Sequence, residues 1–169
     1  MKRTLLLFAA LPLLLIAVPG CVGDDAAEEG SEMAGPDMVA GIPMIPLGTE
    51  LSEALGLPPV TERFVSFEVQ NATDFLYEVE KGRILLSVWN ESVHRVIYQT
   101  PIRNDEAGRT EKNQGILAAY ELGMTWDEGT ETEAGTLYLR SDGRVFALWN
   151  PESDFMTVGT TAFRDAGGG

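Results

Sequence analysis

The sequence predicts a mainly β domain: an antiparallel meander of about seven or eight strands with one short N-terminal helix. Three observations predict it. From Arg63 onward apolar residues recur at every second position. The runs are short and separated by clusters of Asn, Asp and Gly. One strand–turn–strand segment occurs twice in the chain. An α+β arrangement, in which a helix plus sheet is repeated, is the alternative the same pattern allows.

Met1 to Cys21 stand apart from that domain. Lys2 and Arg3 precede the apolar stretch Leu5–Val18, and Val18-Pro19-Gly20-Cys21 follows. A basic start, an apolar stretch of this length and small residues at its end make a secretory signal. The competing reading is a buried helix, against which Pro12 and the lack of any polar face both count. The stretch is also shorter than the roughly 20 apolar residues of a membrane span. Cys21 is the single cysteine among 169 residues. On these residues the N-terminus resembles the prokaryotic lipoprotein precursors, with Pro19 as its one departure. That resemblance implies that Cys21 is lipidated and becomes the new N-terminus. The chain is then exported and tied to the outer side of a membrane; an uncleaved N-terminal anchor gives the same location.

Residues 22–41 are acidic and poor in large apolar groups, so they cannot bury enough surface to offset their ordering entropy. They are expected to be a flexible linker, with a solvated loop packed on the domain as the alternative. Residues 42–165 then form one β-rich domain, and 166–169 a frayed tail. Pro43 and Pro46 keep its start extended. Thr49 can cap a two-turn helix with Leu51, Ala54 and Leu55 on one face, which Gly56 and Pro58-Pro59 stop. In the strands that follow, Val65, Phe67 and Val69 alternate with Phe64, Ser66 and Glu68. Phe75, Tyr77 and Val79 alternate with Leu76, Glu78 and Glu80. Ile84 to Trp89 is apolar on both faces through most of its length, as a central strand is, and Val96-Ile97-Tyr98 lies in the next. Asn104 to Gln114 is polar and reads as a long loop. Period does not decide between strand and helix for Ile116 to Leu122. Thr125 to Gly135 reads as acidic loop. The last strands are Thr136–Arg140, Val145–Trp149 and Phe155–Thr161, with a hairpin turn at Ser141-Asp142-Gly143.

Leu76 to Ile84 matches Leu137 to Val145 without gaps at Leu-Tyr and Gly-Arg, and Trp89-Asn90 and Trp149-Asn150 follow. The domain therefore reads either as two related halves, about 46–103 and 116–163, or as one meander with a chance likeness. Leu122-Gly123-Met124-Thr125 before the second half parallels Leu47-Gly48-Thr49 before the first. With Leu55-Gly56-Leu57-Pro58 and the lipobox, these segments resemble the small lipoproteins of outer-membrane assembly and the related inhibitor-like fold. Those have two helices before a short sheet. Here no helix is expected after Thr125, and no binding residues carry over.

Twelve basic residues stand against 26 acids, and removal of the leader leaves ten against 26, a net charge of −16. Phosphate contacts need clustered Lys and Arg, so nucleic acid and anionic lipid are excluded as partners. Metal and nucleophile chemistry also have little to use. His94 is alone, no Gly-x-Ser-x-Gly elbow exists, and no thiolate remains after lipidation. Glu78 and Glu80 share a strand face about 7 Å apart, the one formal carboxylate pair for an envelope-polymer hydrolase. The run Asp127 to Glu133 lacks the spacing of a calcium loop. No phosphate-cradling Gly motif occurs, so no cofactor is expected.

The expected function is therefore noncatalytic: a membrane-tethered module that binds a protein, peptide or glycan. A hydrolase or a structural envelope-assembly subunit are the alternatives. Trp126 in its acidic loop, with Tyr120, is the candidate partner-binding pair, because Trp and Tyr are enriched at binding hot spots. Asn71-Ala72-Thr73 and Asn90-Glu91-Ser92 fit the N-glycosylation pattern. Lysine occurs only at 2, 81 and 112, and an acidic, lysine-poor chain suits a salt-adapted host, since molar salt screens self-repulsion. The melting temperature should accordingly rise between low and molar NaCl, and a flat or falling profile would remove the salt-adapted reading.

Overall fold

The computed structural model describes residues 38–52, 55–100, 106–150 and 152–168. The leader, Cys21 and the linker up to residue 37 lie outside them. Two short strands come first, β1 (Met38–Val39) and β2 (Ile42–Pro43), paired as a tight hairpin. Then follow β3 (Glu62–Val65), β4 (Thr73–Val79), β5 (Gly82–Trp89) and β6 (Ser92–Gln99). Helix α1 (Glu106–Ala119) leads to β7 (Thr130–Thr132), β8 (Gly135–Leu139), β9 (Val145–Trp149) and β10 (Phe155–Thr160), and α2 (Thr161–Ala166) ends the domain. The strands from β3 on make one eight-stranded sheet in the order β3-β4-β5-β6-β10-β9-β8-β7. All its pairs are antiparallel. The protein is mainly β.

That order is two four-stranded meanders joined last strand to last strand, β6 against β10. The repeated segment is the β4–β5 hairpin in one half and the β8–β9 hairpin in the other. Their turns differ, however. Val79 pairs with Gly82 across a two-residue turn, whereas Leu139 pairs with Phe146 across a longer one. Tyr77 therefore faces Ile84 while Tyr138 faces Ala147. Gly82 adopts φ 144°, and a Cβ there would lie 2.1 Å from the Gln99 carbonyl, so only glycine fits. Asn90 and Glu91, at φ 48° and 69°, turn β5 into β6.

Strand alternation sends one set of side chains to an inner face. Tyr77, Ile84, Tyr98, Met156 and Trp149 form one row across it; Phe75, Leu86, Val96, Val158 and Ala147 form the next. The segment Val39–Leu57 and α1 cover this face, the former with Ile42, Met44, Ile45 and Leu47 and the latter with Ile116 and Ala119. Full burial of an aliphatic side chain contributes roughly 1.5–3 kcal/mol, so this layer is the main source of stability. Two wholly buried tyrosines tie the layers together. The Tyr120 hydroxyl donates to the Ile45 carbonyl at 2.5 Å, so the Tyr98 hydroxyl donates to Tyr120 at 2.7 Å and accepts from the Ile45 amide at 3.1 Å. Burial pushes the Tyr98 hydroxyl up to about 12 and Tyr120 well above its ordinary value, so both stay protonated at neutral pH.

Two expectations are corrected. Asn104 to Gln114 was expected to be loop, but from Glu106 it is α1. The helix buries only Lys112, Asn113, Ile116 and Ala119, a stripe too polar to show a helical period. Gly115 lies within it because a Cβ there would meet Val39 Cγ1 at 2.7 Å. The short helix expected from Thr49 does not start there. Glu50 bridges to Ser92, the Thr49 carbonyl accepts from Val93 N, and the Thr49 hydroxyl donates to Pro46 O instead of capping. Residues 53 and 54 of that helix lie outside the described residues. Val39 is buried in the core, and Gly167 caps α2, where a Cβ would lie 3.3 Å from the Glu68 carbonyl. A smaller difference is β7, which forms within the expected acidic loop.

Arg140 is 2% exposed and joins the β8–β9 hairpin to the end of α1. Its Nη1 donates to the Tyr120 carbonyl at 2.9 Å, while Nε and Nη2 donate to Asp142 Oδ1 and Oδ2 at 3.1 and 2.6 Å. The Arg140 hydrogen bonds hold the Asp142 carboxyl below its ordinary value of 3.8. A carboxyl lowered on folding stabilises above its unfolded pKa, and that contribution is lost as pH falls through the folded value. Asp142→Asn should therefore lower the melting temperature by a few degrees at pH 7. The gap to wild type should close as pH drops below about 4, which a pair of melting-temperature profiles against pH would check.

Candidate functional site

The outer face of the sheet is divided. At one end Phe163 of α2 packs with Val69 and Ala72 over the buried Asp74, Ser87 and Arg95. Arg95 donates from Nε to Ser87 Oγ at 3.0 Å, pairs with Glu68, and lies 5.2 Å from the Phe163 ring. The Thr160 side chain caps α2 by accepting from Phe163 N. His94, an extra residue at the bulge opposite Ser87/Val88, stacks on Phe163 and holds Thr160 Oγ1 at 2.9 Å. It is a packing residue under the cap.

Beyond α2 the same face is open. The registers line up Leu76, Leu85, Ile97, Thr157, Leu148 and Leu137 in one row across β4, β5, β6, β10, β9 and β8. Every one of them is partly exposed. Five strand spacings separate the ends of the row, about 24 Å. Glu62 and Thr130 continue it at the two sheet edges, and Phe155, 47% exposed, flanks it with Gln99 and the Glu78–Arg83 ion pair at 3.0 Å. An aliphatic row with no charge inside it and polar groups at both ends has the make-up of a docking surface. It can exclude water from an apolar partner.

The expected site residues fall elsewhere. Tyr120, expected as a partner-binding residue, is wholly buried in the tyrosine pair beneath the sheet. Trp126 packs against the core, and its indole N–H donates to the Leu117 carbonyl at 3.0 Å. Asn71 and Asn90 are exposed on turns at φ 64° and 48°, left-handed conformations that Asn tolerates, so turn geometry explains their presence. Glu78 is paired to Arg83 and Glu80 is in the β4–β5 turn, so they do not form a carboxylate pair in a cleft. Among the described residues no three His, Cys, Asp or Glu side chains gather as a metal site requires. Cys21 lies outside them.

Sequence reasoning assigned no role to the row, although one signal for it was present. Leu76, Leu85, Ile97, Leu137 and Leu148 sit on the opposite phase to the core residues. Aliphatics on the solvent phase of five strands point to a second apolar face. Compared with protein-family models, curated proteins and solved structures, the chain gives no match.

The two faces should respond differently to substitution. Leu86→Ala, on the sealed face, should cost about 2–5 kcal/mol in denaturant unfolding. Leu85→Gln and Leu148→Gln, one residue out of phase with the core, should each stay within about 1 kcal/mol of wild type.

Proposed function

We propose that the chain is a noncatalytic binding module, exported and tethered to the extracytoplasmic face of a membrane through lipid on Cys21. Its partner is a protein that docks on the open row of the outer sheet face. That row is the observation that carries the reading: an aliphatic band about 24 Å long, uncovered where the rest of the sheet is sealed. The row itself is Leu, Ile and Thr with no aromatic ring in it, which favours a protein surface over a glycan, since glycans are held by stacking rings and hydrogen-bond donors. Aromatic Phe155 beside the row supplies the anchor type found at interface centres. The tether rests on the leader and its lone cysteine.

A photoreactive residue placed at 85 or 148 in the native membrane should give a discrete protein adduct, and one at 131, on the polar edge strand β7, should not. Adducts of equal yield at all three positions, or none at 85 and 148, would end the docking proposal. The tether is checked separately by the mass of the N-terminal peptide, where an unmodified Cys21 thiol would refute it.

A further inference from the structure

Both lysines outside the leader lie on one cavity, in a chain with 26 acids and 12 basic residues. The cavity, about 200 Å³, opens where the β1–β2 turn, the β4–β5 turn, the end of β6 and the first turns of α1 meet. Ala40, Ile42 and Gly108 form its apolar walls, and Lys81, Arg109 and Lys112 converge on it from the β4–β5 turn and from α1. Among the described lining residues Glu80 is the carboxylate that faces the two lysines; it pairs with Lys81 at 3.7 Å, and its side chain is 86% exposed.

Lys112 is the informative member. It is 7% exposed, and Thr100 Oγ1, at 2.7 Å, accepts one hydrogen bond from its ammonium. An ammonium has three protons to donate. No other described acceptor takes one, so a buried cation faces the cavity with donor capacity to spare. Burial lowers its pKa, the Asp154 charge opposes that, and Arg109 adds to it. Its charged form therefore gains from any further negative group brought close. A buried cation kept at such a cost inside an acidic chain is what an anion site requires.

We infer that this cavity binds a small oxyanion, the carboxylate or phosphate head of a compact organic molecule, through Lys112 and Lys81 with Arg109 beside them. Its volume is below the roughly 300–1,000 Å³ of drug-sized pockets, so the ligand is a small molecule or a head group only. The apolar wall of Ala40 and Ile42 accepts the carbon part. The site is on α1 and the β4–β5 turn, and it does not depend on the docking row or on the tether.

The test is an NMR titration of the full-length ¹⁵N-labelled chain in micelles with sodium acetate and, separately, inorganic phosphate at constant ionic strength. Saturable shifts at residues 80–82, 100 and 108–112, with Kd of about 1–10 mM for one or both anions, are expected. The better binder identifies the head group. Lys112→Met, which keeps the hydrocarbon stem, and Lys81→Gln should each weaken binding about tenfold, while Glu80→Gln should tighten it about threefold. Arg63→Gln removes a cation from edge strand β3 and should change nothing. If Lys112→Met does not fold, the opposite effects at 81 and 80 carry the decision. No saturable shifts with either anion, or an Arg63→Gln loss equal to that of Lys81→Gln, would overturn the inference.

Discussion

The fold depends on a closed set of hydrogen bonds between two tyrosines and one backbone unit. Tyr98 from β6, Tyr120 from the end of α1, and the amide and carbonyl of Ile45 satisfy one another with no other partner needed. A buried hydroxyl without a partner costs about 1–3 kcal/mol, so the arrangement holds only when all three segments are in place. It orients the Val39–Leu57 segment, which has little regular structure of its own, against the inner face of the sheet. It also fixes where α1 ends. From there the Arg140 guanidinium takes the Tyr120 carbonyl and the Asp142 carboxylate, linking the second meander to the same point.

Cys21 is the single cysteine, so no disulfide forms within the chain, and packing, hydrogen bonds and ion pairs hold the described residues together. An eight-stranded sheet has two faces, and the described residues cover about one and a half. The N-terminal segment and α1 seal the inner face. On the outer face a helix of only six residues, α2, covers one end by burying Phe163 against Val69, Ala72 and the Arg95 guanidinium. The acids Asp74 and Glu68 pair with that guanidinium, so the charge beneath the cap is matched and hydrogen-bonded to Ser87 as well. What α2 does not reach is the aliphatic row. A short cap and an open row are two consequences of one shortage, and the row is where the protein has surface to offer.

Charge is distributed on the same logic. The surplus of acids lies on exposed turns and edges, as at Glu131 in β7, where a charged residue on a sheet edge discourages unwanted strand pairing. The opposite edge, β3, is blunter: Val65 is 71% exposed and Phe67 just beyond it 95%. Lys112 is withdrawn from this acidic surface, almost wholly buried beside the cavity at α1, and Lys81 borders the same cavity with its side chain half exposed. In a chain whose every other described cation is arginine, that placement separates the cavity from the general surface.

The sequence by itself determined the β class and the strands from Glu62 to Gln99 and from Gly135 to Thr160. Period-two alternation and Gly or Asn turns are local properties, written into neighbouring residues such as Val79-Glu80-Lys81-Gly82. The repeated hairpin was equally legible, because it is a contiguous pattern. Helix α1 was not legible: a helix that buries Lys112 and Asn113 among its few contacts carries no apolar stripe, and it is held by Ile45, Val39 and the tyrosine pair, all distant in sequence. The same holds for Tyr120. Its type pointed to a binding surface, and only the meeting of three segments made it core. The docking row and the basic cavity are likewise products of assembly. Leu76 and Leu137 become one surface only when β6 pairs with β10, and Lys81 and Lys112 share a cavity only when a turn and a helix 31 positions apart are packed side by side. Sequence sets what each segment wants to bury; tertiary structure decides which of those demands are met and which stay open at the surface.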